Sequence, residues 1–444
     1  MSQRASEALE RIPMTYSRRG FVSMLAGAAA LSLTALEKAT AEVYTRLDGL
    51  NADYQGQDSP DGAYWEALRE HFMFQDGIIM MNNGTVGPMP RPVFNTLVRY
   101  FKIQATNPFE VYDHFGGYVD ETRRRLAGFI GADPDEVVMD RNTTEGMNFI
   151  AHGLDLKAGD EVLLSSLEHP GGTHPWNLKA KRYGIKLVTV PVGAPPAGVR
   201  EIVGAFEKAI TPRSKVISIS HTVFITGLIA PVKELAELAH AHGLLLLVDS
   251  AHGLGMLDLD MHGYGADYYC SSPYKWLGAP CGVGLLYMKR ASQDQVWPTI
   301  ASSGWDNAAS GAGRFETLSQ RADPIIIALG EALDFQSRVG KARIARRIRT
   351  LAGHLKEGLQ AIPKVRLHTN RDDYLSSGLT AFSIEGVDPQ RVVDYVREKH
   401  NIVVRTIGSD AAGTRGTRVS THYWLSTREV DLFLEGVEEL ARGA

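Results

Sequence analysis

One lysine, Lys275, stands in the stretch CSSPYKWLGAPCGVGLL, between two apolar runs and just ahead of a glycine-rich segment. Asp249 lies 26 residues earlier, near the end of the apolar run LLLLVDS, and His252 follows on the turn that leaves it. The ends of parallel strands are where such a sheet opens its ligand crevice, so the three side chains can converge on one cleft. A carboxylate there is costly unless something cationic meets it. One reading of the trio is a buried salt bridge and nothing more. The other is chemical. A lysine in a low-polarity site has a depressed pKa and condenses readily with an aldehyde. A carboxylate beside a pyridine keeps the ring nitrogen protonated, and a protonated ring withdraws electrons from an attached carbanion. Those two demands together describe a pyridoxal phosphate site built on Lys275, Asp249 and His252.

Elements on both sides must position these residues. The runs EVVMD, EVLLSS, KLVTVPV, KVISISH, LLLLVDS, ADYYCSS and GVGLLYM read as strands, several too continuously apolar to have a wet face. Between them lie helical patterns, among them TTEGMNFIAHGL, VREIVGAFEKAI and PVKELAELAHAHG, the last opening with Pro231 and closing with Gly243. The alternation predicts an α/β fold with a mostly parallel sheet covered by helices on both faces. Beyond residue 320 the pattern changes to a long basic helical stretch, EALDFQSRVGKARIARRIRTLAGHLKEGLQAI, then short strands LTAFSIE and IVVRT and a closing helix. This predicts a large domain over 78–320 and a smaller α+β domain over 321–444, with residues 42–77 packing beside the latter. The arginines of KARIARRIRT read as a solvated helix face.

The segment DSAHGLGMLDLDMHGYGADYYCSSPYKWLGAPCGVGLLYMKR resembles the core of class V aminotransferases, which include cysteine desulfurases, kynureninases and isopenicillin N epimerase-like enzymes. The resemblance runs from about residue 78 to the C-terminus and implies fold type I of the pyridoxal phosphate enzymes. It implies that Lys275 holds the cofactor and shuttles the proton. Thr143 and Thr144 in RNTTEGMN would meet the phosphate at a helix start, although helix N-capping is an equally ordinary use of such threonines. His169 in SLEHPGG would stack on the ring, Asp249 would face the ring nitrogen, His252 would neighbour the phenolic oxygen, and Ser272 would be a second phosphate ligand. Arg418 in TRVSTHYWLSTREVD would grip a substrate carboxylate, with Arg405 as the weaker candidate and a surface ion pair as the plain alternative for both. A homodimer is implied too, with phosphate contacts crossing the interface from ASSGWDN around Ser303 and Gly304. Three departures separate this chain from the desulfurases. IGSDAAGTRG contains no cysteine nucleophile, Phe224 replaces an asparagine, and Tyr274 replaces the histidine before the lysine. They point to the isopenicillin N epimerase-like branch and leave transamination, epimerisation and β-elimination open, with an aminotransferase as the first expectation and a non-catalytic cofactor-binding protein as the alternative of another class.

The remaining sequence bounds the partners. With 444 residues, 44% hydrophobic, and a net charge of -4, the chain can bury a large core and offers no basic surface for nucleic acid. Arg18 and Arg19 precede an apolar run from Phe21 to Leu36 and the small residues Ala39-Thr40-Ala41, which resembles a twin-arginine export signal over residues 1–41. Export by that machinery to the periplasm is the expectation, and the chain is similar in this combination to periplasmic pyridoxal phosphate enzymes that tailor peptide siderophores such as pyoverdine. The two cysteines, Cys270 and Cys281, are too few for a disulfide framework and read as small core fillers. GLGMLD lacks the last glycine of a dinucleotide fingerprint, no P-loop occurs, and neither AHAHG nor EHPGGTH has the spacing of a metal site, so no metal is expected.

Overall fold

A computed structural model describes residues 32–54, 62–409 and 414–443. The chain enters through helices α1 (Leu33–Asp53) and α2 (Ala63–Arg69) and a short strand β1 (Ile79–Met80). Arg18, Arg19 and most of the expected export signal lie outside the described residues, while α1 runs without a break through Ala41, where peptidase cleavage is expected. Two helices follow, α3 (Arg91–Thr106) and α4 (Pro108–Ile130), which the sequence pattern does not announce. The adjacent Gly116 and Gly117 and the aromatic residues of α4 dilute its helical signal. Its stability comes from packing against α3 and a later helix.

The seven runs marked as strands by their apolar residues all form strands, and they share one sheet. These are β2 (Val137–Val138), β3 (Glu161–Ser165), β4 (Lys186–Val190), β5 (Ser214–Ser220), β6 (Leu245–Ser250), β7 (Tyr268–Ser271) and β8 (Leu285–Met288), in the order β2-β8-β7-β6-β5-β3-β4. Strands β3 to β7 pair in parallel, and the last two pairings, β7 with β8 and β8 with β2, are antiparallel. The connecting helices are α5 (Thr143–Gly153), α6 (Pro170–Tyr183), α7 (Val199–Ala209), α8 (Val232–Ala241) and the single turn α9 (Met261–Tyr264). Successive strand residues face opposite sides. Leu163, Ile217, Leu246 and Tyr269 therefore enter one apolar core, and Val162, Val216, Leu247 and Cys270 enter the other. Two buried faces explain why the runs of β3, β6, β7 and β8 show no polar alternation, whereas the edge strand β4 exposes Lys186 and Thr189.

The basic stretch over 331–362 is two helices, α10 (Asp323–Val339) and α11 (Lys341–Ala361), separated at Gly340, whose φ of +96° no helix contains. Then come β9 (Val365–Leu367), β10 (Leu379–Ile384), α12 (Pro389–His400), β11 (Ile402–Val403), β12 (Arg405–Ser409), β13 (Thr414–Ser420) and α13 (Thr427–Gly443). Strands β12, β13, β10 and β9 make an antiparallel sheet in that order, and β11 pairs in parallel with β1. A third core joins Val43, Leu47, Trp65 and Phe72 from the entry segment to Ile348, Leu355, Phe382 and Phe433. Helix α10 reaches both parts, Ile326 and Leu329 packing in the large core and Phe335 and Val339 in the small one.

Candidate active site

The C-terminal ends of β5, β6 and β7, together with the N-terminus of α5, surround a cavity of about 80 Å³ lined by Thr143, Thr144, His169, Asp249, His252, Ser272 and Lys275. Seven of the nine residues nominated from sequence thus converge on one space. Ser220, Thr222, Phe224, Ala251 and Tyr274 complete the lining. Lys275 is carried on a turn held by the bond from its own N–H to the Ser272 carbonyl at 3.2 Å. The loop before α3 braces that turn from outside. Gly87 N–H donates to the Tyr274 carbonyl at 2.9 Å, and a Cβ on Gly87 would stand 2.4 Å from the Lys275 carbonyl oxygen, so only glycine allows this approach.

No ion pair or hydrogen bond joins Lys275 to Asp249 among the described residues, which removes the salt-bridge reading. Burial pulls the Lys275 ammonium down to about 8, Asp249 pulls it back up, and Arg418 and Arg405 add to the fall. Burial likewise lifts the Asp249 carboxyl above its ordinary range, against the Ala251 N–H and Lys275. Asp249 Oδ1 accepts from Ala251 N at 3.1 Å, and Oδ2 has no hydrogen-bond partner among the described residues. Gly172 of α6 keeps the space before that oxygen clear, since a Cβ there would come within 3.0 Å of Oδ2. A buried carboxylate with one oxygen left over is what a protonated ring nitrogen requires.

The anion end of the cavity is built on α5. Asn142, not either threonine, caps this helix, its side chain accepting from Glu145 N at 3.1 Å. Capping is therefore removed as the explanation of Thr143 and Thr144, which occupy the first two helical positions with their N–H groups at the positive end of the helix. Ser272 Oγ accepts from Thr143 N at 3.1 Å and lies 2.8 Å from Thr143 Oγ1. This hydroxyl and amide cluster at a helix start suits a phosphate. On another wall His169 caps α6, its Nδ1 accepting from Gly171 N at 3.0 Å, and Phe224 meets the imidazole edge-on with centroids 4.7 Å apart. Burial, then the charge of Lys275, lowers His169 to about 4. His252 is fully buried and is held well below its ordinary value by burial and then by Lys275.

The two arginines stand opposite each other across β12 and β13, Arg405 in register with Arg418. Arg418 is 1% exposed, donates to the Phe224 carbonyl at 3.0 Å, to Asn82 Oδ1 at 3.3 Å and to Thr85 Oγ1 at 3.4 Å, and meets no carboxylate among the described residues. Burial and then Arg405 lower it to about 9. Arg405 is exposed and reaches Thr85 Oγ1 at 3.4 Å. The ion-pair alternative is thus absent for both within the described chain. Ser303 and Gly304 lie on an exposed segment and do not line the cavity of this single chain. Cys270 is buried as expected, but Cys281 is exposed, because the turns at Gly278 and Gly282, with φ of +80° and +100°, place it on the surface. Neither sulfur lines the cavity. Sequence reasoning missed Gly87 and Gly172, whose roles depend on approach between distant segments.

The Aminotransferase class-V family model matches residues 79–433, and the chain belongs to that family. It is 30% identical over 399 residues to isopenicillin N epimerase of Amycolatopsis lactamdurans, covering 85% of this chain and 99% of the relative. It is 28% identical over 399 residues to a probable cysteine desulfurase of Methanothermobacter thermautotrophicus, covering 84% and 96%. Among solved structures, the cysteine desulfurase of Thermococcus onnurineus NA1 in its apo form gives a TM-score of 0.75 at 26% identity, covering 85% of this chain and 98% of that one. A C-DES mutant with glycine covalently linked to its PLP cofactor gives 0.75 at 25%, covering 84% and 99%. The protein is a class V enzyme of fold type I, and its cofactor is pyridoxal 5′-phosphate. The free Asp249 oxygen, the Thr143, Thr144 and Ser272 cup and the unbonded Lys275 amine fit that group.

Proposed function

We propose that the protein is an aminotransferase acting on an amino acid, or on an amino acid residue within a larger metabolite. The observation that carries the amino acid substrate is Arg418, a buried guanidinium without an acid partner among the described residues, which donates to the carbonyl of Phe224 in the wall of the cavity that holds Lys275. A guanidinium in that state is a receptor for a carboxylate. When bound, the cofactor supplies an aldehyde carbon that condenses with amines and a ring that draws electrons from the substrate Cα. Lys275, brought to about 8, holds an amine able to take the Cα proton near neutral pH and to return it. Asp249 Oδ2 holds a proton on the ring nitrogen, and the α5 terminus with Ser272 holds the phosphate.

Transamination lets Lys275 return the proton on the side from which it took it. Epimerisation needs delivery to the opposite face of Cα, and the other cavity imidazoles are poor donors: His169 is brought down to about 4, and burial and then Lys275 hold His252 well below its ordinary value. Epimerase and β-lyase chemistry stay as the second reading because relatives carry the names isopenicillin N epimerase and cysteine desulfurase. Persulfide chemistry on an enzyme cysteine is disfavoured by the positions of Cys270 and Cys281. We further infer export through the twin-arginine machinery to the periplasm, from the sequence around Arg18 and Arg19. A homodimer with Ser303 and Gly304 near the partner's phosphate is supported by the exposure of that segment, where Trp297 and Trp305 also reach solvent.

The test is to incubate the purified chain and pyridoxal phosphate with amino acids and small peptides, with and without a 2-oxo acid acceptor. A keto product formed together with an aminated acceptor supports the aminotransferase. Inverted substrate without keto product supports the epimerase, and release of a β-substituent supports the lyase. Failure of every amine to change the visible spectrum favours a cofactor-binding protein without catalysis.

A further inference from the structure

Trp276, the residue after the cofactor lysine, is fully buried and takes part in two sets of hydrogen bonds. Its indole Nε1–H donates to His252 Nδ1 at 3.2 Å. An indole nitrogen is a donor only, so His252 Nδ1 must be the acceptor and the proton of the neutral ring must sit on Nε2. Protonating His252 would set one N–H against another. The carbonyl of Trp276 accepts from Gln336 Nε2 at 2.7 Å and from His422 Nε2 at 3.0 Å. His422 is itself fixed as the Nε2–H tautomer, because its Nδ1 accepts from Tyr423 N at 2.9 Å. The His422 ring stacks on Trp276 with centroids 5.2 Å apart and planes 15° apart, and on Trp424 at 3.4 Å and 15°. The far edge of the indole meets Gly378, where a Cβ would stand 2.8 Å from it. Trp276 is thus held on one side by the segment that continues from Arg418 and on the other holds His252, which faces the cavity beside Lys275 and Asp249.

We propose that Trp276 is a positioning residue that fixes His252 as the Nε2–H tautomer, so that this ring is a constant hydrogen-bond donor to the phenolic oxygen of the bound cofactor. This rests on the placement of His252 beside that oxygen. Lys275, His169 and Asp249 share the cavity with His252; burial, then Lys275, Arg418, His169 and Arg405, oppose a second proton on it, and they outweigh the Asp249 carboxyl. The donor therefore does not change character across the working pH range. A constant donor stabilises the anionic oxygen and keeps the cofactor's visible chromophore, formed with Lys275, at a low titration midpoint. Trp276 also joins this donor to the small domain through His422, four residues beyond Arg418.

Trp276→Phe keeps an aromatic ring against His422 and removes only the indole N–H. In the holoenzyme the expected result is a visible-band midpoint raised by about one pH unit and a pyridoxal phosphate Kd weakened about tenfold, the loss of one hydrogen bond to a charged group. In a His252→Ala background the same substitution is expected to move neither quantity, since its effect passes through His252. Equal shifts in both backgrounds, or no shift in either, overturn the proposal. If Trp276→Phe does not fold, ¹⁵N labelling of the six tryptophans gives an independent reading on the unsubstituted chain. One indole N–H signal is expected to be protected from exchange and displaced by His252→Ala, and no displaced signal overturns the proposal. A wild type without any visible band would instead sink the cofactor site itself, so the two failures are distinguishable.

Discussion

Replacing Arg418 by methionine separates a substrate receptor from a structural arginine. The guanidinium is 1% exposed and has three oxygen partners, the Phe224 carbonyl, Asn82 and Thr85, but no carboxylate among the described residues. Removing a buried charge that lacks an acid partner relieves a desolvation penalty of several kcal/mol. Losing three hydrogen bonds costs about 1 kcal/mol each. The two effects nearly offset, so Arg418→Met is expected to change stability by no more than about 1 kcal/mol, read as the midpoint of urea unfolding. Binding is expected to change far more. A charge-assisted, two-pronged contact to a carboxylate contributes about 3 kcal/mol, which is a loss of roughly 150-fold in kcat/KM. The assay compares the best amino acid found in the amine panel with its carboxamide. The variant is expected to lose activity on the acid while changing that on the amide by less than about threefold. Equal losses on both, with a clear fall in stability, would refute the reasoning and make Arg418 a structural residue.

Three further outcomes follow from the same geometry. Burial holds Lys275 near 8 in the folded, cofactor-free chain against an ordinary value of 10.5, so the unfolded state binds the extra proton between those values and stability rises with pH across that window. Cofactor-free Lys275→Met is accordingly expected to be up to about 3 kcal/mol more stable than wild type at pH 7, with the gap closing above pH 10.5; urea titrations at several pH values check this, and a gap independent of pH contradicts it. Ser272→Ala removes the partner of the Thr143 amide and hydroxyl, and dialysis titration is expected to show pyridoxal phosphate affinity weakened by about tenfold or more. Gly87→Ala forces a Cβ to 2.4 Å from the Lys275 carbonyl oxygen, an overpacking that costs about 1–3 kcal/mol in stability and displaces the lysine turn, seen as a reduced visible band at fixed cofactor concentration.

The fold's centre was readable because physics constrains it locally. A continuous apolar run ending in Asp249 has few tolerable environments, and the strand ends that result bring Lys275, Asp249, Ser272 and the α5 threonines together without any knowledge of the small domain. The features that were not readable depend on packing between distant segments. Helix α4, with Gly116 and Gly117 inside it, forms because α3 and α10 cover it. Gly340 ends one helix and starts another although the residues on both sides favour continuation. The N-cap at Asn142 was hidden because Asn, Thr and Thr in succession each suit the position.

The two arginines carry this argument furthest. Their identities could be read, but their relation could not, since only the antiparallel register places Arg405 opposite Arg418. Residues directly opposite across an antiparallel pair share a face, and like charges there destabilise the sheet. Nothing in the described chain offsets that repulsion with a carboxylate, and both guanidiniums share Thr85 Oγ1 as an acceptor. A sheet selected only for stability would have no reason to keep such a pair. A bound carboxylate would relieve the buried Arg418 and the repulsion between the two charges at once. On the proposed reading, the repulsion between Arg405 and Arg418 and the affinity for an anionic substrate would be one electrostatic quantity, a cost in the free chain that binding returns.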